Sequence, residues 1–148
     1  MAYGKYSFTV GKLLHEAGRH RRQDPCPCDP VWNICQCEND HVIELRLVVE
    51  ALNELPAGTY SARNWQTDLV DFFNNKNQNS QCLPHWQHRN KTQAVYKWLN
   101  EETLTDSEME WIHEIRETWA ETKDDLQGFK KFKAALDNVL NMDDYYDE

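Results

Sequence analysis

The sequence predicts a mostly helical α+β domain with a small β element. Apolar residues recur at helical spacing over most of the chain after residue 40. A strand pattern is confined to the short apolar segment at residues 31–35. The chain has 148 residues, which is the usual length of one domain. We therefore assign residues 1–148 to a single domain.

The N-terminal part of the chain is irregular in pattern until a buried helix begins. Three prolines within residues 24–30 exclude a helix there, and the strand follows at residues 31–35. Residues 42–55 are apolar on nearly all sides of a helix, so we expect a central, buried helix with Asn39 or Asp40 as its cap.

Further helices are predicted along the rest of the chain. Residues 65–73 show helical spacing and precede a polar loop, and Pro84 opens a segment with an apolar stripe up to Leu99. Thr105 and Glu108 form a capping-box pattern that starts a long helix, and Gly128 separates it from a last one. We expect residues 142–148 to be a flexible, acidic tail.

Charge is distributed unevenly along the chain. The net charge is −9, which argues against a general nucleic-acid coat protein. Residues 101–148 hold fifteen acidic and five basic residues, whereas residues 40–100 hold six of each. The acidic character therefore belongs to the C-terminal helices at residues 101–141 and to the tail, and it makes them a candidate surface for a basic protein partner.

The cysteines admit two interpretations. Four of the five form two Cys-x-Cys pairs; the five are Cys26, Cys28, Cys35, Cys37 and Cys82. In an oxidising compartment they would form disulfides, and in a reducing one they could hold a structural zinc ion as thiolates. Cys82, His85 and His88, together with Cys37 and His41, also offer a mixed Cys/His zinc site.

Reactive side chains are concentrated in two stretches, residues 37–45 and residues 82–91. Asp40-His41-Val42-Ile43 resembles the first motif of the HNH, or His-Me finger, nucleases. His88-Arg89-Asn90-Lys91 is similar to the closing segment of that family, in which a metal-binding residue is followed by basic residues as a helix begins. The resemblance covers about residues 30–100 and extends to toxin- or effector-like members of the family.

The resemblance implies a ββα-metal core wrapped by additional helices, and a hydrolase acting on DNA or RNA. Asp40 and His88 would bind one divalent metal, Mg²⁺ or Mn²⁺ and alternatively Zn²⁺, and His41 would be the general base. Lys91 or Arg89 would hold the scissile phosphate. An asparagine orients the histidine in the family, and Asn77 and Asn79 are the candidates here.

Two other functional classes remain open from the sequence. One is a non-enzymatic, Cys/His-stabilised helical protein that binds a partner, such as an inhibitor of the immunity type. The other is an inactivated nuclease fold. No apolar run is long enough for a membrane span and no signal peptide is recognisable, so we expect no membrane contact. A mature secreted toxin and an intracellular protein are both compatible with the sequence.

Overall fold

The computed structural model describes residues 4–20, 37–75 and 77–146, with Cys37 and Tyr146 described in their backbone only. The predicted strand at residues 31–35 and the cysteines Cys26, Cys28 and Cys35 lie outside these ranges. The elements in chain order are α1 (Val10–Glu16), β1 (Cys37–Asp40), α2 (Leu45–Leu52), α3 (Trp65–Phe73), β2 (Gln81–Pro84), α4 (His85–Leu99), α5 (Asp106–Thr122), a 3₁₀ turn (Lys123–Asp125), α6 (Lys130–Val139) and α7 (Met142–Tyr146). The predicted class, mostly helical α+β, is confirmed.

Helix α2 lies at the centre of the hydrophobic core, as its apolar composition predicts. Leu47, Val48, Ala51 and Leu52 have no exposed surface, and α6 packs against this helix. Its predicted start was wrong. Asn39 and Asp40 belong to strand β1 and do not cap a helix, and α2 begins at Leu45 after an N-cap residue that makes no side-chain cap bond.

The two strands form an antiparallel pair that is followed directly by a helix. Residues 37–40 of β1 pair with residues 81–84 of β2, with Asn39 opposite Cys82 and Asp40 opposite Gln81. Helix α4 starts at the residue after β2 and packs against both strands. The ends of β1 and β2 and the first turns of α4 thus meet in a β-β-α unit. Sequence patterning missed both strands because each has only four residues.

The C-terminal helices follow the predicted pattern up to residue 140. Thr105 and Glu108 make both bonds of the capping box at the start of α5, and Gly128 has a φ of 75°, which a side-chain-bearing residue rarely adopts. Trp119 and Phe132 are fully buried, so the aromatic stripes of α5 and α6 belong to the core. The predicted flexible tail starts too early, because Met142 is buried and opens helix α7.

Within the described residues, no helix combines the length and the apolar character needed to cross a bilayer.

Candidate metal centre

Three side chains with metal-binding atoms converge beside the β-β-α unit. Asp40 stands at the end of β1, Glu44 immediately precedes α2, and His88 lies in the first turn of α4. One ligand atom from each residue lies within 4.8 Å of those of the other two. Nε2 of His88 is 3.2 Å from Oδ1 of Asp40. The structure therefore brings together the two residues predicted as metal ligands and adds a third that the sequence analysis did not assign.

A buried asparagine holds the turn that connects Asp40 to Glu44. Asn79 accepts a hydrogen bond from the backbone N–H of Ile43 at 2.7 Å and donates to the carbonyl oxygens of Ile43 and Phe73. These bonds satisfy the amide group inside the core, where an unpaired polar group would be costly. The turn between β1 and α2 is thereby held against the end of α3, and both carboxylates keep their position relative to α4.

Lys91 lies on the buried side of the site. Its side chain is fully buried, and Nζ donates to Oδ2 of Asp40 and to the carbonyl oxygen of His41, both at 2.5 Å. Nζ is 3.9 Å from Oε1 of Glu44, which is too long for a hydrogen bond. An enclosed ammonium group cannot reach a phosphate in solution, so the predicted role of Lys91 in holding the scissile phosphate does not fit its position.

A second carboxylate orients His88 from the opposite side of its ring. Oε2 of Glu38 accepts from Nδ1 of His88 at 2.5 Å, and Oε1 accepts from Nδ1 of His85 at 2.7 Å. The bonds from His85 and His88 lower the pKa of Glu38. A carboxylate behind a metal-ligating histidine fixes its tautomer and leaves the other ring nitrogen for the ion. His85 is thus a partner of Glu38 and does not join the three ligands.

The donor set fits a divalent cation. Oε1 of Glu44 is buried and has no hydrogen-bond partner among the described residues, and burial raises the pKa of Glu44. The carboxylates of Asp40 and Glu44 both lie within 4 Å of the single buried ammonium group of Lys91, so the cluster holds more carboxylates than ammonium groups. Two carboxylates and an imidazole are suitable ligands for Mg²⁺, Mn²⁺ or Zn²⁺.

The predicted general base lies on the wall of the same cleft. Nε2 of His41 donates to Oδ1 of Asn74 at 2.7 Å, because an amide oxygen only accepts. In the neutral ring, Nδ1 is then the basic nitrogen. The asparagine hydrogen-bonded to the His41 ring is therefore Asn74, whereas Asn77 and Asn79 were the predicted candidates. Asn77 is exposed, and the side chain of Asn79 is hydrogen-bonded to backbone atoms.

Arg89 and Cys82, two other predicted site residues, lie elsewhere. Arg89 is exposed and borders a separate small cavity with Trp86 and Gln93, on another face of α4 from His88. Arg89 therefore does not line the cleft, whereas the sequence analysis predicted that it holds the scissile phosphate there. Cys82 is disulfide-bonded. Of the two alternatives predicted for this cysteine, the structure therefore has the disulfide and not the thiolate ligand of zinc.

A cleft of about 670 Å³ opens at the three ligands. Asp40, His41, Glu44 and His88 line one part of it, and polar and apolar residues at the start of α1, along α2 and on α4 line the rest. Sequence reasoning missed Glu44, Glu38 and Asn74. The four-residue separation of Asp40 and Glu44 was a usable signal, whereas nothing in the pattern marks Glu38 or Asn74.

Comparison with protein-family models, with curated proteins and with solved structures gives no match for this chain.

Glu44→Gln is expected to raise the melting temperature of the metal-free protein and to lower that of the metal-loaded protein. A carboxyl group with a raised pKa in the folded protein contributes stability at low pH and loses it as the pH rises through that pKa. At pH 7 the metal-free variant should therefore melt at a higher temperature than the wild type, and near pH 4 the difference should shrink. With saturating Mn²⁺ the variant should be the less stable protein, because it has lost a ligand.

Glu50→Gln is the matched control for this measurement by differential scanning calorimetry. Glu50 lies on the same helix and borders the same cleft, but it is exposed and is not one of the three ligands. Its variant should follow the wild type at pH 7 without metal, near pH 4, and with saturating Mn²⁺. A stabilising effect of Mn²⁺ that is equal in wild type and Glu44→Gln would contradict the assignment of Glu44 as a ligand.

Proposed function

We propose that the protein is a metal-dependent nuclease that hydrolyses phosphodiester bonds. The observation that carries the proposal is the convergence of Asp40, Glu44 and His88 at a β-β-α unit, with His41 on the same cleft. Residues 40 and 88 come from distant parts of the chain. A strand end and a helix start bring them to within 3.2 Å, as the resemblance to the HNH nucleases implies.

The chemistry assigns a separate task to each side chain. His41, held through Nε2 by Asn74, takes the proton of the attacking water as the general base. Asp40, Glu44 and His88 hold the cation, and Glu38 orients His88. A bound divalent cation would supply positive charge to the phosphate and to the leaving oxygen. Lys91 keeps the carboxylate of Asp40 in place from below.

One observation favours a second candidate function, a non-enzymatic binding protein with an inactivated fold. Lys91 already supplies a positive charge to Asp40 at 2.5 Å, so the cluster retains one ion pair without a metal. A purely structural ion-pair cluster would show this contact as well. It would not account for the buried Oε1 of Glu44, which accepts no hydrogen bond from the described residues.

Digestion of single- and double-stranded DNA and RNA with Mg²⁺, Mn²⁺ or Zn²⁺ separates the two candidates. The nuclease should cleave at least one substrate in the presence of a divalent cation and stop when EDTA is added. His88→Ala should lose both cleavage and Mn²⁺ binding measured by calorimetry. His113→Ala, which removes an exposed histidine on α5, should retain both. Absence of cleavage and of cation binding in the wild type would favour the binding protein.

A further inference from the structure

The cleft carries an arginine at some distance from the three ligands. Cζ of Arg46, in the first turn of α2, lies 3.7 Å from the ring centroid of Tyr96 on α4. Both residues line the cleft, and Tyr96 is 44 % exposed. Stacking on an aromatic ring holds a guanidinium group in one plane while its N–H groups remain available as donors.

The guanidinium group of Arg46 is not in an ion pair with any carboxylate in the described part of the chain. Among the described residues it makes no ion pair and no hydrogen bond, only the contact with Tyr96. It is also the one Lys or Arg side chain that lines the cleft in the described part of the chain, since Lys91 is enclosed and Arg89 borders another cavity. An oriented but unpaired arginine beside a cation site provides donors for an anionic group of a ligand.

The position of Arg46 along the cleft separates it from the reacting phosphate. His88, Thr92 and Tyr96 follow one another at intervals of four residues on one face of α4, and all three line the cleft. Eight residues of helix correspond to about 12 Å at 1.5 Å per residue. The contact of Arg46 with Tyr96 therefore lies about two turns along α4 from His88, although Arg46 follows Glu44 closely in the chain.

We propose that Arg46 and Tyr96 form a subsite for a phosphate that flanks the scissile one. This inference rests on the proposed nuclease function and names the substrate class, a polynucleotide strand in preference to an isolated phosphodiester. Arg46 binds a neighbouring phosphate of the strand, and the open part of the Tyr96 ring contacts the adjoining nucleotide. The scissile phosphate lies at Asp40, Glu44 and His88.

The test measures binding and hydrolysis separately with Arg46→Gln and the control Arg63→Gln, an exposed arginine in the loop before α3. Binding is followed by fluorescence anisotropy with a labelled single-stranded oligonucleotide, as DNA and as RNA, in the presence of Ca²⁺. Arg46→Gln should bind about tenfold more weakly. The slope of log K against log salt should fall by about 0.7, as expected for one lost phosphate contact on a single strand. Arg63→Gln should match the wild type.

Hydrolysis is followed with the same oligonucleotides and with bis(p-nitrophenyl) phosphate, which has no flanking phosphate. Arg46→Gln should raise KM for the oligonucleotide and leave kcat/KM for the small substrate unchanged. An equal loss on both substrates would overturn the flanking position, and unchanged oligonucleotide binding would overturn the subsite. If no substrate is hydrolysed but the oligonucleotide binds through Arg46, the nuclease function fails while the subsite stands.

Discussion

His41→Ala is expected to lower the rate of phosphodiester cleavage by about 10²–10⁴-fold, the usual contribution of a general base. The structure gives His41 a defined tautomer through its bond to Asn74, and it places the residue next to Asp40 without including it among the three ligands. Mn²⁺ affinity should therefore change little in this variant. The measurement is the single-turnover cleavage rate at saturating cation, together with Mn²⁺ calorimetry.

His113→Ala again serves as the control, because this histidine is exposed and far along α5. Cleavage by His41→Ala at the wild-type rate would exclude His41 as the general base. Asn74→Ala provides a graded comparison. It keeps the imidazole but removes the acceptor at Nε2, so a partial loss of rate with unchanged Mn²⁺ binding is the expected result.

Lys91→Met is expected to lower the free energy of unfolding of the metal-free protein by about 3–5 kcal/mol, as when one partner of a buried ion pair is removed. Methionine fills most of the volume, but the buried carboxylate of Asp40 loses its closest cation and the carbonyl of His41 loses its donor. Both groups stay enclosed, so water does not replace the lost bonds. Urea unfolding at pH 7 with EDTA gives the measurement.

Two comparisons make the Lys91 result specific. Lys131→Met changes an exposed lysine on α6 and should shift stability by less than about 0.5 kcal/mol. Saturating Mn²⁺ should restore more stability to Lys91→Met than to the wild type, because the ion then neutralises Asp40. An effect of Lys91→Met as small as that of Lys131→Met would contradict the buried ion pair.

The sequence predicted the helices well and the strands poorly. The apolar positions of α2, α3, α5 and α6 repeat over two or more turns, so their periodicity is detectable. Strands β1 and β2 have four residues each, and β1 carries the polar sequence Cys-Glu-Asn-Asp. Their pairing depends on tertiary contacts with α4, which no local pattern encodes. For the same reason Asp40 was predicted as a helix cap.

The site was predictable where residue type alone limits the chemistry. Asp40, His41 and His88 could be selected because carboxylates and imidazoles are few in the two reactive stretches. The roles of the cationic side chains could not be predicted, because those roles depend on how exposed each side chain is. Lys91 and Arg89 are two residues apart on α4, yet one is enclosed and the other points to solvent. Arg46 was overlooked because its neighbour Tyr96 comes from a helix fifty residues away.

The separation of the two strands has a consequence for folding kinetics. Between β1 and β2 the chain builds two helices of the core, so the strand pair cannot form as a local hairpin. Closing so long a loop before the core forms is entropically unfavourable, and contacts between distant residues slow folding. The three candidate metal ligands are therefore expected to come together only after α2 is packed. A nascent chain still missing α4 has no complete cleft.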